Sequence, residues 1–129
     1  MTNANDLRMG NLIQKDNVIY KFLSLEQNHA STSEYRFYWV ETLDGKLGKY
    51  YSSHFNPIPL TPEILEKCGF DRNCILKISQ GVNIEWSYGK EVWLTKEGEV
   101  IYEFENTQYL HQLQNLYFAL CGEELNYTP

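Results

Sequence analysis

The sequence is short of the features that announce chemistry or membrane residence. Its three cysteines, Cys68, Cys74 and Cys121, are an odd number without CxxC spacing, which sets a disulfide framework aside and reads as buried thiols in a reducing compartment. The cysteines and the three histidines are scattered with no ligand spacing between them, so no metal is expected. No GxxxxGK[ST], GxGxxG, HExxH or GxSxG motif occurs, which removes the phosphate-cradling loop, the dinucleotide fingerprint, the zincin helix and the nucleophile elbow, and with them any expected cofactor. No stretch approaches the roughly 18 consecutive apolar residues of a membrane helix, and no apolar run follows Met1, so neither membrane insertion nor secretion is expected. Arginine is confined to Arg8, Arg36 and Arg72 and the formal net charge is -6, which disfavours a general grip on nucleic-acid phosphates.

Aromatic residues stand against these shortages: ten Tyr, six Phe and three Trp, a content that suits strands and either a sheet core or a binding surface. A chain of 129 residues has the size of one ordinary domain. Periodicity predicts the class as α+β: N-terminal β-hairpins, a short central helix, an antiparallel β-meander and a C-terminal amphipathic helix packed on the sheet. The whole chain, 1–129, is read as one domain with loose ends at 1–5 and 126–129. Gly10-Asn11 reads as an early tight turn and Val18 to Leu25 as a strand. The polar segment from Gln27 to Glu34, with His29 in it, reads as an exposed loop. Tyr35 to Leu43 alternates with aromatic bulk on both faces, Tyr35, Phe37 and Trp39 on one and Arg36, Tyr38 and Val40 on the other, and Asp44-Gly45 turns it into a partner strand from Lys46 to Ser52.

Thr61-Pro62-Glu63 opens the central helix with a capping hydroxyl, and Gly69-Phe70 closes it. Val82, Ile84, Trp86 and Tyr88 point one way along a later strand, and Val100, Tyr102 and Phe104 do so along the last, after a turn at Lys96-Glu97-Gly98. The C-terminal helix is expected over Thr107 to Leu120, capped by Asn106 or Thr107, ended by Gly122, and docked through Leu110, Leu113, Tyr117 and Leu120.

Candidate sites follow from the same patterns. Arg36, Tyr38 and Trp39, with Lys49, Tyr51 and His54 on the partner strand, combine rings for stacking with cations for an anion, as a nucleotide ligand would need. His111, Gln112 and Asn115 leave the helical stripe and form a second, polar interaction face, against the plainer reading as a solvated side. An enzyme would need converging titratable groups, for which only Glu85, Glu103, His54 and His111 are available; Glu85 and Glu103 alternate with apolar residues as solvent-facing side chains do. No catalytic residue is assigned.

Three stretches, Asp6-Leu-Arg-Met-Gly-Asn-Leu-Ile13, Ile58-Pro-Leu-Thr-Pro-Glu-Ile-Leu-Glu-Lys-Cys-Gly-Phe70 and His111-Gln-Leu-Gln-Asn-Leu-Tyr-Phe-Ala-Leu-Cys-Gly-Glu-Glu-Leu125, resemble segments that occur in the same order in a group of small uncharacterised proteins of bacteriophages and mobile elements. That resemblance implies a setting in the cytoplasm of an infected bacterium. It brings no catalytic residues with it. The expected function is that of a non-enzymatic accessory protein, anti-defence in kind, which binds a host protein or sequesters a small nucleotide-type signal. The alternative is a small hydrolase or nuclease. A second copy of the chain is a further candidate partner.

Overall fold

The computed structural model describes residues 6–27, 36–87 and 91–129; the expectations for 1–5, for the loop with His29, and for Tyr35 and Tyr88 lie outside them. The chain is α+β, and the described residues form two four-stranded antiparallel sheets and two α-helices. Its contacts divide into two compact units, Met1–Ile58 and Pro59–Pro129.

The first unit is a meander in the order β1 (Leu12–Lys15), β2 (Val18–Gln27), β3 (Arg36–Thr42) and β4 (Leu47–Tyr51). The first strand follows the Gly10-Asn11 turn, where Asn11 Oδ1 accepts the Arg8 N–H at 2.6 Å. The β1–β2 hairpin then turns on Asp16 and Asn17, both at positive φ (51° and 65°). Asp and Asn are among the side-chain-bearing residues that tolerate this conformation best, and two such residues in succession match the twist of the strands they join. The Asp44-Gly45 hairpin forms as expected, with Gly45 at φ 96° and Thr42 bridged to Asp44 and Lys46. After β4 a 3-10 turn, Ser52–His54, carries the chain back to the outer edge of β1. There Gln14 and Asn56 exchange both backbone hydrogen bonds (3.0 and 2.8 Å), and Gln14 Nε2 donates to the Pro57 carbonyl at 3.1 Å. An edge that would otherwise carry unpaired backbone groups is thereby covered. Inside lie Ile13, Phe22, Tyr38, Val40 and Phe55, all nearly inaccessible, with Leu7, Tyr20 and Tyr50 packed around them.

The second unit opens with α1 (Pro62–Lys67). Thr61 Oγ1 accepts the Ile64 N–H at 3.2 Å, and Pro62 fills the first helical position, where its missing N–H costs nothing. Gly69 at φ 94° ends the helix while the Phe70 N–H returns to the Leu65 carbonyl, the Schellman-type stop read from the sequence. A second meander follows: β5 (Ile75–Ser79), β6 (Val82–Ser87), β7 (Glu91–Lys96) and β8 (Glu99–Glu105). Ile84, Trp86 and Val92 are buried on it. Helix α2 (Leu110–Cys121) crosses this sheet: Tyr109, at its start, shares a cleft with Glu91 of β7 and Glu105 of β8, and Tyr117 shares another with Leu76 of β5. The tail, expected to be loose, is tied down, because the Thr128 N–H donates to the Lys67 carbonyl at 2.8 Å and Leu125 is buried.

Helix α2 docks differently from the expected stripe. Leu110 and Leu113 are buried, but so are His111 and Gln114, whereas Leu120 is 39% exposed and Phe118 40%. At 100° per residue, the buried arc of the first turns is rotated by roughly 60° from the arc that Leu110, Leu113, Tyr117 and Leu120 define. The cap also differs. Tyr109, not Asn106 or Thr107, is the N-cap residue, and the Gln112 Oε1 reaches back to accept the N–H groups of Gln108 (2.8 Å) and Tyr109 (3.1 Å). Gly122, at φ 71°, ends the helix as expected. Gln112→Ala therefore removes an acceptor from two backbone donors and should lower stability by about 0.5–2 kcal/mol, as losses of helix caps do; a denaturant melt that moved by less than a few tenths of a kcal/mol would show the cap to be idle.

Candidate functional site

In the first unit, strand alternation and register sort the six candidate residues onto different sides. Tyr38 is 1% exposed and packs edge-on to Phe22 at 5.1 Å between ring centroids, so it is a core residue and cannot stack on a ligand. Arg36, on Tyr38's side by alternation, opens β3 and is exposed. The other four come together. Trp39 faces Lys49 across the β3–β4 pair, Tyr51 faces Phe37 in the same register, and His54 follows on the 3-10 turn, its ring 5.5 Å from that of Tyr51.

Phe37 and Tyr51 are stacked at 4.7 Å with 29° between their planes. Lys49 Nζ lies 4.9 Å from the Phe37 ring centroid and 5.4 Å from that of Trp39, both distances at which a ring's negative face attracts a cation. The same ammonium is 2.8 Å from Glu26 Oε2. That hydrogen bond from Lys49 holds the Glu26 carboxyl below the usual carboxylate range. Tyr51 is 43% and Leu47 66% exposed on the same strand. The result is an aromatic patch whose lysine already has a carboxylate partner. Phe37 and Glu26 were absent from the candidate set, although they complete the patch. The Asp44-Gly45 signal marks the hairpin but not its register: read as the two turn residues they would set Trp39 opposite Tyr50, whereas Thr42 closes the loop on Lys46 and the pairs shift by one, to Trp39 with Lys49 and Phe37 with Tyr51.

The second unit separates the groups an enzyme would need to bring together. Glu85 and Glu103 both pair with Trp93, from opposite sides, so a whole strand lies between them, about twice the ~4.8 Å strand spacing. His111 is 4% exposed and stacks on Tyr109 at 6.0 Å; it is a packed residue rather than part of an open polar face, and of the three residues proposed for that face only Gln112 and Asn115 are partly accessible. Burial pushes the Cys68 thiol up to about 12 and raises Cys74 as well, which suits packing thiols and not nucleophiles. Among the described residues no group of three or more His, Cys, Asp or Glu side chains is placed to hold a metal ion, and no helix is long and apolar enough to cross a membrane.

Two clefts in this unit have the size of a ligand site: one of about 370 Å³ beside Leu76 and Tyr117, and one of about 560 Å³ lined by Pro59, Leu60, Glu91, Glu105, Asn106, Gln108 and Tyr109. Glu91 and Glu105 are direct partners across the β7–β8 pair. Like charges in that position repel. Compared with protein-family models, with curated proteins and with solved structures, the chain matches none.

Proposed function

We propose that the chain is a non-enzymatic binding protein that acts as a phage or mobile-element accessory factor in the host cytoplasm, and that the outer face of its first sheet contacts a host protein. The observation that carries this reading is the gathering of Phe37, Trp39 and Tyr51 around Lys49 on one accessible face. Rigid aromatic side chains lose few rotamers on binding, and Trp and Tyr dominate protein interfaces for that reason. The charge on the face favours a protein over an anion, since Lys49 is already neutralised by Glu26 and a phosphate would have to displace that carboxylate.

A photo-crosslinking amino acid in place of Tyr51, used in extract from a bacterium that carries such an element, should give one discrete protein adduct. Trp39→Ala in the same chain should abolish it. An adduct pattern unchanged by Trp39→Ala would count against this face. The nucleotide reading is favoured by the same rings and by His54 beside them. Titration with cyclic and linear nucleotides at tens of micromolar decides it: heat that disappears in the Trp39→Ala protein would transfer the site to a nucleotide, and no heat leaves the protein partner.

A further inference from the structure

Strand β8 is the last in its sheet and, among the described residues, only β7 pairs with it. Edge strands of natural proteins are usually short, buried under another element or guarded by charge. This one has seven residues and leaves three consecutive apolar side chains open: Val100 is 46%, Ile101 53% and Tyr102 60% exposed. The register shift between Leu94 and Thr95 leaves Ile101 as the extra residue of a bulge, and α2, which starts beside Glu105, does not cover this half of the strand. Beyond the bulge the strand runs regularly to Glu105, past the exposed Glu103, and ends at the cleft where Glu91 faces Glu105.

The geometry points to strand addition at the β8 edge by an extended peptide segment in which basic and apolar residues alternate. Free backbone groups on the edge would supply the ladder, Val100, Ile101 and Tyr102 the apolar contact, and Glu103, Glu105 and Glu91 the partners for cations. Charge selects the occupant. A second copy of this chain paired antiparallel about Tyr102 would set Glu99 against Glu105, and like charges directly opposite are destabilising. An alternating basic strand meets carboxylates in place of that repulsion, and one lysine or arginine at its end fits the cleft. This surface belongs to the second unit and stands independently of the aromatic face proposed for the host protein.

The test uses the full chain and an acetylated peptide of β8's own length that alternates Lys and Val. Binding should be measurable at tens to hundreds of micromolar, should weaken with added salt as ion pairs between accessible groups do, and should slow amide exchange in β8. Glu103→Lys with Glu105→Lys, both at exposed positions, should weaken it at least tenfold while circular dichroism stays unchanged. A peptide of the same charge with a central proline, which removes a ladder donor, should bind at least tenfold more weakly. Equal binding of the proline peptide would mean charge adsorption without a strand and would overturn the proposal, as would binding indifferent to the double reversal or absent at millimolar peptide. Concentration-dependent dimerisation of the unaltered chain that protects β8 amides from exchange and competes with the peptide would also overturn it, by assigning the edge to a second copy.

Discussion

Leu113→Ala should lower the free energy of unfolding by about 2–5 kcal/mol, the range found when a buried leucine leaves a cavity. Leu113 is 1% exposed and lies one turn from Leu110, which is fully buried; the two form the apolar part of the docked face of α2. Small domains have only about 5–15 kcal/mol of net stability, so the loss would be visible as a large shift in a urea midpoint. The comparison that gives the result meaning is Leu120→Ala. Leu120 belongs to the same sequence stripe but is 39% exposed, and its loss should cost less than about 1 kcal/mol, nearer the range of ordinary surface positions. Equal costs at the two sites would mean that the helix docks along its whole stripe. Gln114→Ala adds a further contrast: at 4% exposure the side chain fills space inside the unit, so its truncation should cost more than Leu120→Ala.

Phe55→Ala should cost about 3–5 kcal/mol, the usual range for a buried phenylalanine. Phe55 is fully inaccessible, meets Tyr20 edge-on at 5.7 Å, and lies 5.6 Å from Tyr38 and 6.1 Å from Tyr50. It sits between the 3-10 turn and the Gln14–Asn56 bridge, so the same deletion loosens the return of the chain to β1. Amide protection in β1–β4 should fall, and near-ultraviolet circular dichroism from the clustered tyrosines should weaken. His54→Ala, one residue away and exposed, should shift stability by no more than about 0.5 kcal/mol. A harmless Phe55→Ala would show that the strands close on themselves without it.

The elements marked by local chemistry were legible in the sequence. Thr61-Pro62, Gly69-Phe70, Asp44-Gly45 and Gly122 each specify a cap, stop or turn through a few neighbouring residues, and each stands where the pattern placed it. Position in three dimensions was less legible. Periodicity gives the face of a helix but not the rotation at which a neighbouring layer receives it, which is why His111 and Gln114 are buried and Leu120 is not. The cap of α2 was missed because its acceptor lies inside the helix, at Gln112, and reaches backwards. The six-residue candidate site mixed two faces of one strand: Arg36 and Tyr38 were grouped with Trp39 by proximity in sequence, and alternation separates them. Whether Tyr38 or Trp39 lies inside depends on which face the returning Phe55 covers. That contact is long-range, and no local pattern encodes it.

Both sheets are built from strands in chain order, β1-β2-β3-β4 and β5-β6-β7-β8, and this bears on how quickly the chain folds. Among the described residues every sheet pairing joins strands that are neighbours in sequence, and four of the connections turn on positive-φ residues, at Asp16-Asn17, Gly45, Gly81 and Glu97-Gly98. Little loop-closure entropy has to be lost before each ladder starts to form. Proteins with such local contacts fold fast for their strand content, because slow folding tracks sequence separation between partners and not the number of strands. In the first unit the exception is Gln14 with Asn56. Closing that contact spans most of the unit, so loop-closure entropy predicts that the hairpins form before the chain comes back to cover the edge of β1, and pulse-labelled amide exchange should show Gln14 and Asn56 protected after β2–β4.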